Sequence, residues 1–279
     1  MAEMAARERL MIFAAASRSP GLVVSHRSAA LLHGLPVFST GKLVVHLTRN
    51  AATGAHRSAD RVVHAASLAE DEIEFSHGYP VTVVARTLVD LARERSGRAA
   101  VAAADAAAHN RLVEPAAVAV ALDRAKGRTG VGQARRLLRF ADGRAESPGE
   151  SAVRWAIAQI GLPAPDLQVD VRDRAGTFLG RADFAYSDLG VIIEFDGEVK
   201  YTELVPAGQT ARDVVMAERR REKRMQEAGF IVIRIVWSDL RDLAALERRI
   251  REAMARGGRA TRAGLVTGTT TLSPAMPLL

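Results

Sequence analysis

The sequence predicts an α/β protein in two parts: a mixed sheet flanked by helices, preceded by a smaller, mostly helical α+β domain. Two observations carry this. From residue 148 onward the apolar pattern runs helix, three strands, helix, strand, helix, an order that packs helices against a mixed sheet. Before residue 141 short helical patterns dominate, and Gly, Ser and Pro cluster between the two regions in ADGRAESPGES (141–151). The expected organisation is therefore a basic domain at 1–144, a second domain at 145–257, and a flexible tail at 258–279 that lacks helical or alternating period.

In the first half, Ser25 is placed to cap a helix that stops at Gly34-Leu35-Pro36. KLVVHLTR (42–49) and RVVHAAS (61–67) read as strands. Thr82 is placed to cap a helix containing Leu88, Leu91 and Ala92. Ala-rich helices follow around 98–109, 115–126 and 131–141, punctuated by Asn110, Pro115, Gly127 and Gly130. In the second half Ser147, Pro148 and Glu150 form a helix start, with Ser at the cap and Glu three residues on. Strands are expected at 167–173, 177–186 and 191–196. A long loop (197–210) leads to a charged helix (211–228), a buried strand in FIVIRIVW, and a last helix capped by Ser238 and ended by Gly257-Gly258.

Composition narrows the chemistry. A chain of 279 residues with 48% hydrophobic content buries a real core without cross-links. The absence of cysteine excludes thiolate zinc sites, iron–sulfur ligation, redox motifs and a cysteine nucleophile, and leaves a cytoplasmic location as the expectation. Arg7, Glu8 and Arg9 stand where a secretory signal would begin its apolar run. No stretch approaches the ~20 residues a membrane span needs, so no membrane partner is expected. The whole excess of +7 lies in residues 1–144, with 20 Lys+Arg against 13 Asp+Glu. Two explanations stand side by side: a surface that faces a polyanion, and the general Arg bias of the sequence.

All seven histidines lie at or before His109, so the second half works without imidazole, which suits metal-activated water. His26 and His33 are seven apart and no H-x-x-x-H spacing exists; packing or surface roles are the reading for each. There is no Walker loop and no G-x-G-x-x-G after a strand.

The sharpest signal is geometric. A hairpin that closes with Tyr186 opposite Val191 puts Asp183 opposite Glu194 and Arg181 opposite Asp196. Directly opposed side chains sit ~4.5–5.5 Å apart, and like charges there are destabilising without a counterion. A hard divalent cation held by oxygen is the natural compensation; a solvated sheet end with Arg181 as partner is the alternative. Opposed carboxylates on adjacent strands lie too close for an inverting glycosidase pair, and aromatic residues at 5% are few for stacking on sugars. On the charged helix, Val214, Glu218, Arg221 and Met225 form the stripe that should face inward.

ESPGES, GLPAPDLQ, GRADFAY, IIEFDGEVKY, ERRREKRMQEAGF and IRIVWSDL together resemble the PD-(D/E)XK nuclease superfamily, in particular its branch related to very-short-patch-repair endonucleases, over about residues 145–250. The resemblance implies a restriction-endonuclease-like sheet, Mg2+ or Mn2+ as cofactor, and phosphodiester hydrolysis of nucleic acid, DNA above all. It makes Asp183 and Glu194 the two motif acids and Glu150 a further metal ligand; Asp196, which the hairpin register brings to the same sheet face, is the other candidate ligand. Glu150 has the cap role beside Ser147 as its other reading. Gln168 on the first strand joins the site, and Glu218 and Arg221 face it from the charged helix. The family's Lys, two past the second acid, is Asp196 here; Lys200, one of only four lysines, is the candidate substitute. The region 22–110, through VVSHRSAALLHGLP, VVHLT, VTVVARTLVDLAR and AAVAAADAAAH, resembles proteins related to abortive-infection type IV antitoxins. That likeness implies a second possibility, a non-catalytic DNA- or partner-binding regulator of a type IV toxin–antitoxin system, with a decayed nuclease domain.

Overall fold

The structure, a computed structural model, describes residues 2–38, 44–94, 96–197 and 210–279; side chains are not described for 2–5, 211, 214 and 215. Lys200, the side chain of Val214 and the start of the strand expected at 42–49 lie outside the described residues. The fold is mixed α/β with two mixed sheets. The chain divides into two units, Met1–Pro148 with Met276–Leu279, and Gly149–Ala275.

The first unit is the longer. It contains α1 (Ala2–Ser17), β1 (Leu22–Val24), α2 (His26–Leu32), β2 (Val45–Asn50), β3 (His56–Arg57), β4 (Arg61–Ala66), β5 (Ile73–Ser76), β6 (Tyr79–Thr82), α3 (Val84–Arg93), α4 (Gly97–His109), α5 (Pro115–Arg124) and α6 (Val131–Phe140). Its sheet order is β3-β4-β2-β1-β6-β5, with β2 parallel to β4 and β1 parallel to β6. Ile12 and Ala16 of α1 pack with Val24, Val45, Leu47, Val63 and Val81 to close one face. The sequence pattern shows β2 and β4 because their apolar alternation is long enough to read. β1, β3, β5 and β6 have two to four residues each, too few for a period.

Helix starts differ from expectation where a side chain has better partners. Ser25 stands at the cap of α2, but its Oγ is taken by Thr48 Oγ1 at 2.7 Å and His26 Nδ1 at 3.0 Å and bonds no helical N–H. Val83, not Thr82, precedes α3; the Thr82 hydroxyl pairs with Thr87 Oγ1 at 2.7 Å.

The second unit contains α7 (Pro148–Gln159), β7 (Asp166–Arg172), β8 (Phe178–Tyr186), β9 (Val191–Phe195), α8 (Ala211–Glu227), β10 (Ile231–Ile235), α9 (Leu243–Arg262) and β11 (Thr269–Thr271). The sheet order is β10-β9-β8-β7-β11. Neighbours are antiparallel except β9 and β10, which run parallel with α8 as the crossover. Val171, Leu179, Ala182 and Ile192 pack against Met225, Ala228 and Phe230.

The stretch read as a tail is built into the structure. α9 does not stop at Gly257-Gly258: a Cβ on Gly257 would run into Leu189 O, so this glycine serves close helix–turn packing, and Asp242, not Ser238, caps the start. β11 then pairs with β7, and within the first unit Leu278 is 1% exposed.

Candidate metal and nuclease site

The β8–β9 hairpin closes as its loop length predicts. A tight turn over Ser187–Leu189 ends in Gly190 at φ +62°, and the register pairs Tyr186 with Val191, Ala185 with Ile192 and Phe184 with Ile193. One step further the paired ladder stops. There the Phe195 N–H donates to Asp183 Oδ2 at 2.8 Å, so a carboxylate takes the place of a strand carbonyl. Asp183 and Glu194 therefore come together where the strands part. Arg181 and Asp196, expected opposite each other, fall beyond the paired ladder.

Glu194 is 5% exposed. Burial pushes its carboxyl above the ordinary carboxylate range; Arg221 and Arg234 oppose the rise, while Asp183 and Glu218 add to it. The Arg221 guanidinium reaches in from α8, donating from Nη2 to Glu194 Oε1 at 2.7 Å and from Nη1 to Arg181 O at 2.9 Å. Gly180 makes room for it: at φ +152° a side chain is strained, and a Cβ would lie 2.7 Å from Arg221 Cδ. The expected inward stripe of α8 is thus seen in Glu218, Arg221 and the fully buried Met225.

Arg234 was not among the sequence candidates, and it organises the other side. It stands beside Glu194 in the β9–β10 register. Its guanidinium lies 3.3 Å from Asp196 Oδ2, 3.2 Å from Glu222 Oε2, and 3.8 Å from both Glu218 Oε2 and Glu194 Oε2. A lone Arg inside the apolar run FIVIRIVW was the sequence signal for it, because a charge in a half-buried strand needs a partner.

Glu150 and Gln168 meet as a pair. Gln168 Nε2 donates to Glu150 Oε2 at 2.8 Å, with Glu150 6% and Gln168 3% exposed. Gln168 holds φ +52°, a costly conformation for a side-chain-bearing residue. Gly149 lets the first turn of α7 press on the end of β9, since a Cβ there would overlap the Phe195 ring.

Among the described residues, the carboxylates of Asp183, Glu194, Asp196, Glu218 and Glu222 gather around the guanidiniums of Arg221 and Arg234. Such a cluster offers hard oxygen donors to a divalent cation and a proton-accepting carboxylate in Glu194.

No protein-family model matches the chain, and no solved structure matches it. Two curated proteins of Mycobacterium tuberculosis, one from strain CDC 1551 and one from strain H37Rv, are each 33% identical over 164 residues, or 59% of this chain. Both are named only as uncharacterized proteins, and the aligned part spans 57% of their length. Among the described residues, no helix is long and apolar enough to cross a membrane.

Proposed function

We propose that the second unit is a metal-dependent nuclease domain that hydrolyses phosphodiester bonds of DNA. The observation that carries this reading is the meeting of Asp183 and Glu194 at the point where β8 and β9 separate. Asp183 and Glu194 would hold Mg2+ or Mn2+, with Asp196 and Glu150 as further oxygen donors. The donor set fits, because these ions take carboxylate oxygens. When bound, the ion would supply a water of lowered pKa and neutralise charge on the phosphoryl oxygens.

The chain's own residues set the stage for that chemistry. Arg221 and Arg234 hold Glu194 and Asp196 in place, and Gln168 fixes one oxygen of Glu150. Lys200 would provide the compact positive charge that the motif places two residues after its second acid. The basic first half would add sequence-independent affinity, which weakens steeply with salt. A nuclease of this type acts on DNA in the cytoplasm.

The test is cleavage of a panel of single- and double-stranded DNA and RNA with Mg2+ or Mn2+. Loss of activity in Asp183→Asn and Glu194→Gln is the expected result. Cleavage undiminished in both variants overturns the assignment. One observation favours the second reading, a non-catalytic regulator that binds DNA or a toxin: Asp196 stands at the motif's Lys position and is paired with Arg234. An inactive wild type that still binds DNA or captures a toxin would establish it.

A further inference from the structure

The first unit gathers three histidines from three separate elements. His46 and His64 lie on neighbouring parallel strands, and the register sets Thr48 opposite His64 and His46 opposite Val62, so both rings project from one face. His26 opens α2, whose start is fastened to β2: Ser25 N donates to His46 O at 3.1 Å and His46 N donates to Ser28 Oγ at 2.9 Å. The backbone of His26 is held at φ +51°, a conformation that costs free energy and persists only when its surroundings impose it.

One nitrogen from each of the three rings lies within 4.8 Å of the others. We infer that His26, His46 and His64 form a binding site for a divalent transition-metal ion of the zinc class. His46 Nδ1 and His64 Nε2 are 3.1 Å apart, close to the roughly 3.3 Å edge of a tetrahedron built on metal–nitrogen bonds of about 2.05 Å. The His26 ring stacks on His64 with centroids 3.6 Å apart. His26 Nδ1 is engaged by Ser25 Oγ, itself anchored by Thr48, which leaves Nε2 as the donor to an ion. A partner on the second ring nitrogen is the usual device that orients a ligating imidazole. Glu94 Oε1 lies 4.0 Å from His46 Nδ1. Glu94 also lines, with His26, His64, Asp90, Arg93 and Arg128, a cavity of about 490 Å3. Imidazole donors select zinc, cobalt, nickel or copper over magnesium, so this site and the carboxylate cluster would take different ions.

The test uses the full chain carrying Asp183→Asn and Glu194→Gln, so that only the histidine site reports and failure of the nuclease reading leaves the result intact. Cobalt(II) titration should give the visible bands of a low-coordinate, nitrogen-ligated ion at one equivalent per chain. His46→Gln, His64→Gln and Ser25→Ala should each weaken binding about 10–100-fold. Should a histidine variant not fold, zinc added to protein with nitrogen-15-labelled histidine decides the matter. Shifts in the ring nitrogens of His26, His46 and His64 support the site. No cobalt band, binding unchanged in all three variants, or shifts confined to other histidines would overturn it.

Discussion

Arg221→Met removes the cation bonded most closely to Glu194 while keeping an apolar stem of similar length against Gly180. The ion pair is 2.7 Å long, with Glu194 7% and Arg221 28% exposed at the side chain. Breaking a fully buried pair from one side costs about 3–5 kcal/mol and an exposed pair about 0–1 kcal/mol. Arg234 remains 3.8 Å from the other oxygen and offsets part of the loss. The expected destabilisation is therefore about 2–3 kcal/mol, or roughly 8–12 °C in Tm for a unit of this size. Trp155 and Trp237, the only tryptophans, both lie in the second unit, so their fluorescence follows its unfolding selectively. Mg2+ should raise the Tm of Arg221→Met more than that of wild type, because a bound ion takes over the missing compensation and stabilises by mass action. Adding Glu194→Gln should recover most of the lost stability, since no buried charge is then stranded. An Arg221→Met protein as stable as wild type, or a double variant whose losses simply add, would refute this account of the pair.

Gly149→Ala should cost about 1–3 kcal/mol by driving a methyl into the buried Phe195 ring, and the T-shaped contact of that ring with Trp237 at 5.0 Å makes tryptophan fluorescence a direct readout. Gly257→Ala should likewise lower the Tm of the second unit, because the obstructing atom is a backbone carbonyl, Leu189 O, that cannot rotate away. Acid should destabilise the first unit in EDTA. Burial, with the charges and rings around them, lowers His46 and His64 from 6.5 to about 4 and His26 well below its ordinary value. The unfolded chain then binds more protons between about pH 6.5 and 4, and stability falls through that window by about 1–2 kcal/mol for each of His46 and His64 after allowance for solvent screening. Thermal unfolding that is flat across this range would contradict the neutral histidine cluster. Lys200→Met should abolish nucleic-acid cleavage with metal affinity and Tm retained; undiminished cleavage removes Lys200 from the mechanism.

What the sequence determined by itself is local. The four-residue loop between Tyr186 and Val191 specified the hairpin, and with it the approach of Asp183 to Glu194, because a short turn fixes register and period-2 alternation fixes the face. The helical stripe of α8 announced Glu218, Arg221 and Met225 for the same reason: spacing along one element determines which side chains share a side. Tertiary structure decided the rest. Arg234 meets Glu194 only because α8 carries the chain over to a parallel strand 40 residues later, and no local period encodes that register. The end of the β8–β9 ladder at Phe184, the pressing of Gly149 on Phe195 and the approach of Arg221 to Gly180 have no local pattern that encodes them. β11 has three residues and no readable alternation, so its pairing with β7 is specified by the partner edge. The three histidines, of which the sequence singled out only His26 and read it as packing or surface, become neighbours because parallel pairing of β2 and β4 and the docking of α2 bring together residues up to 38 positions apart, which only the closed core can dictate.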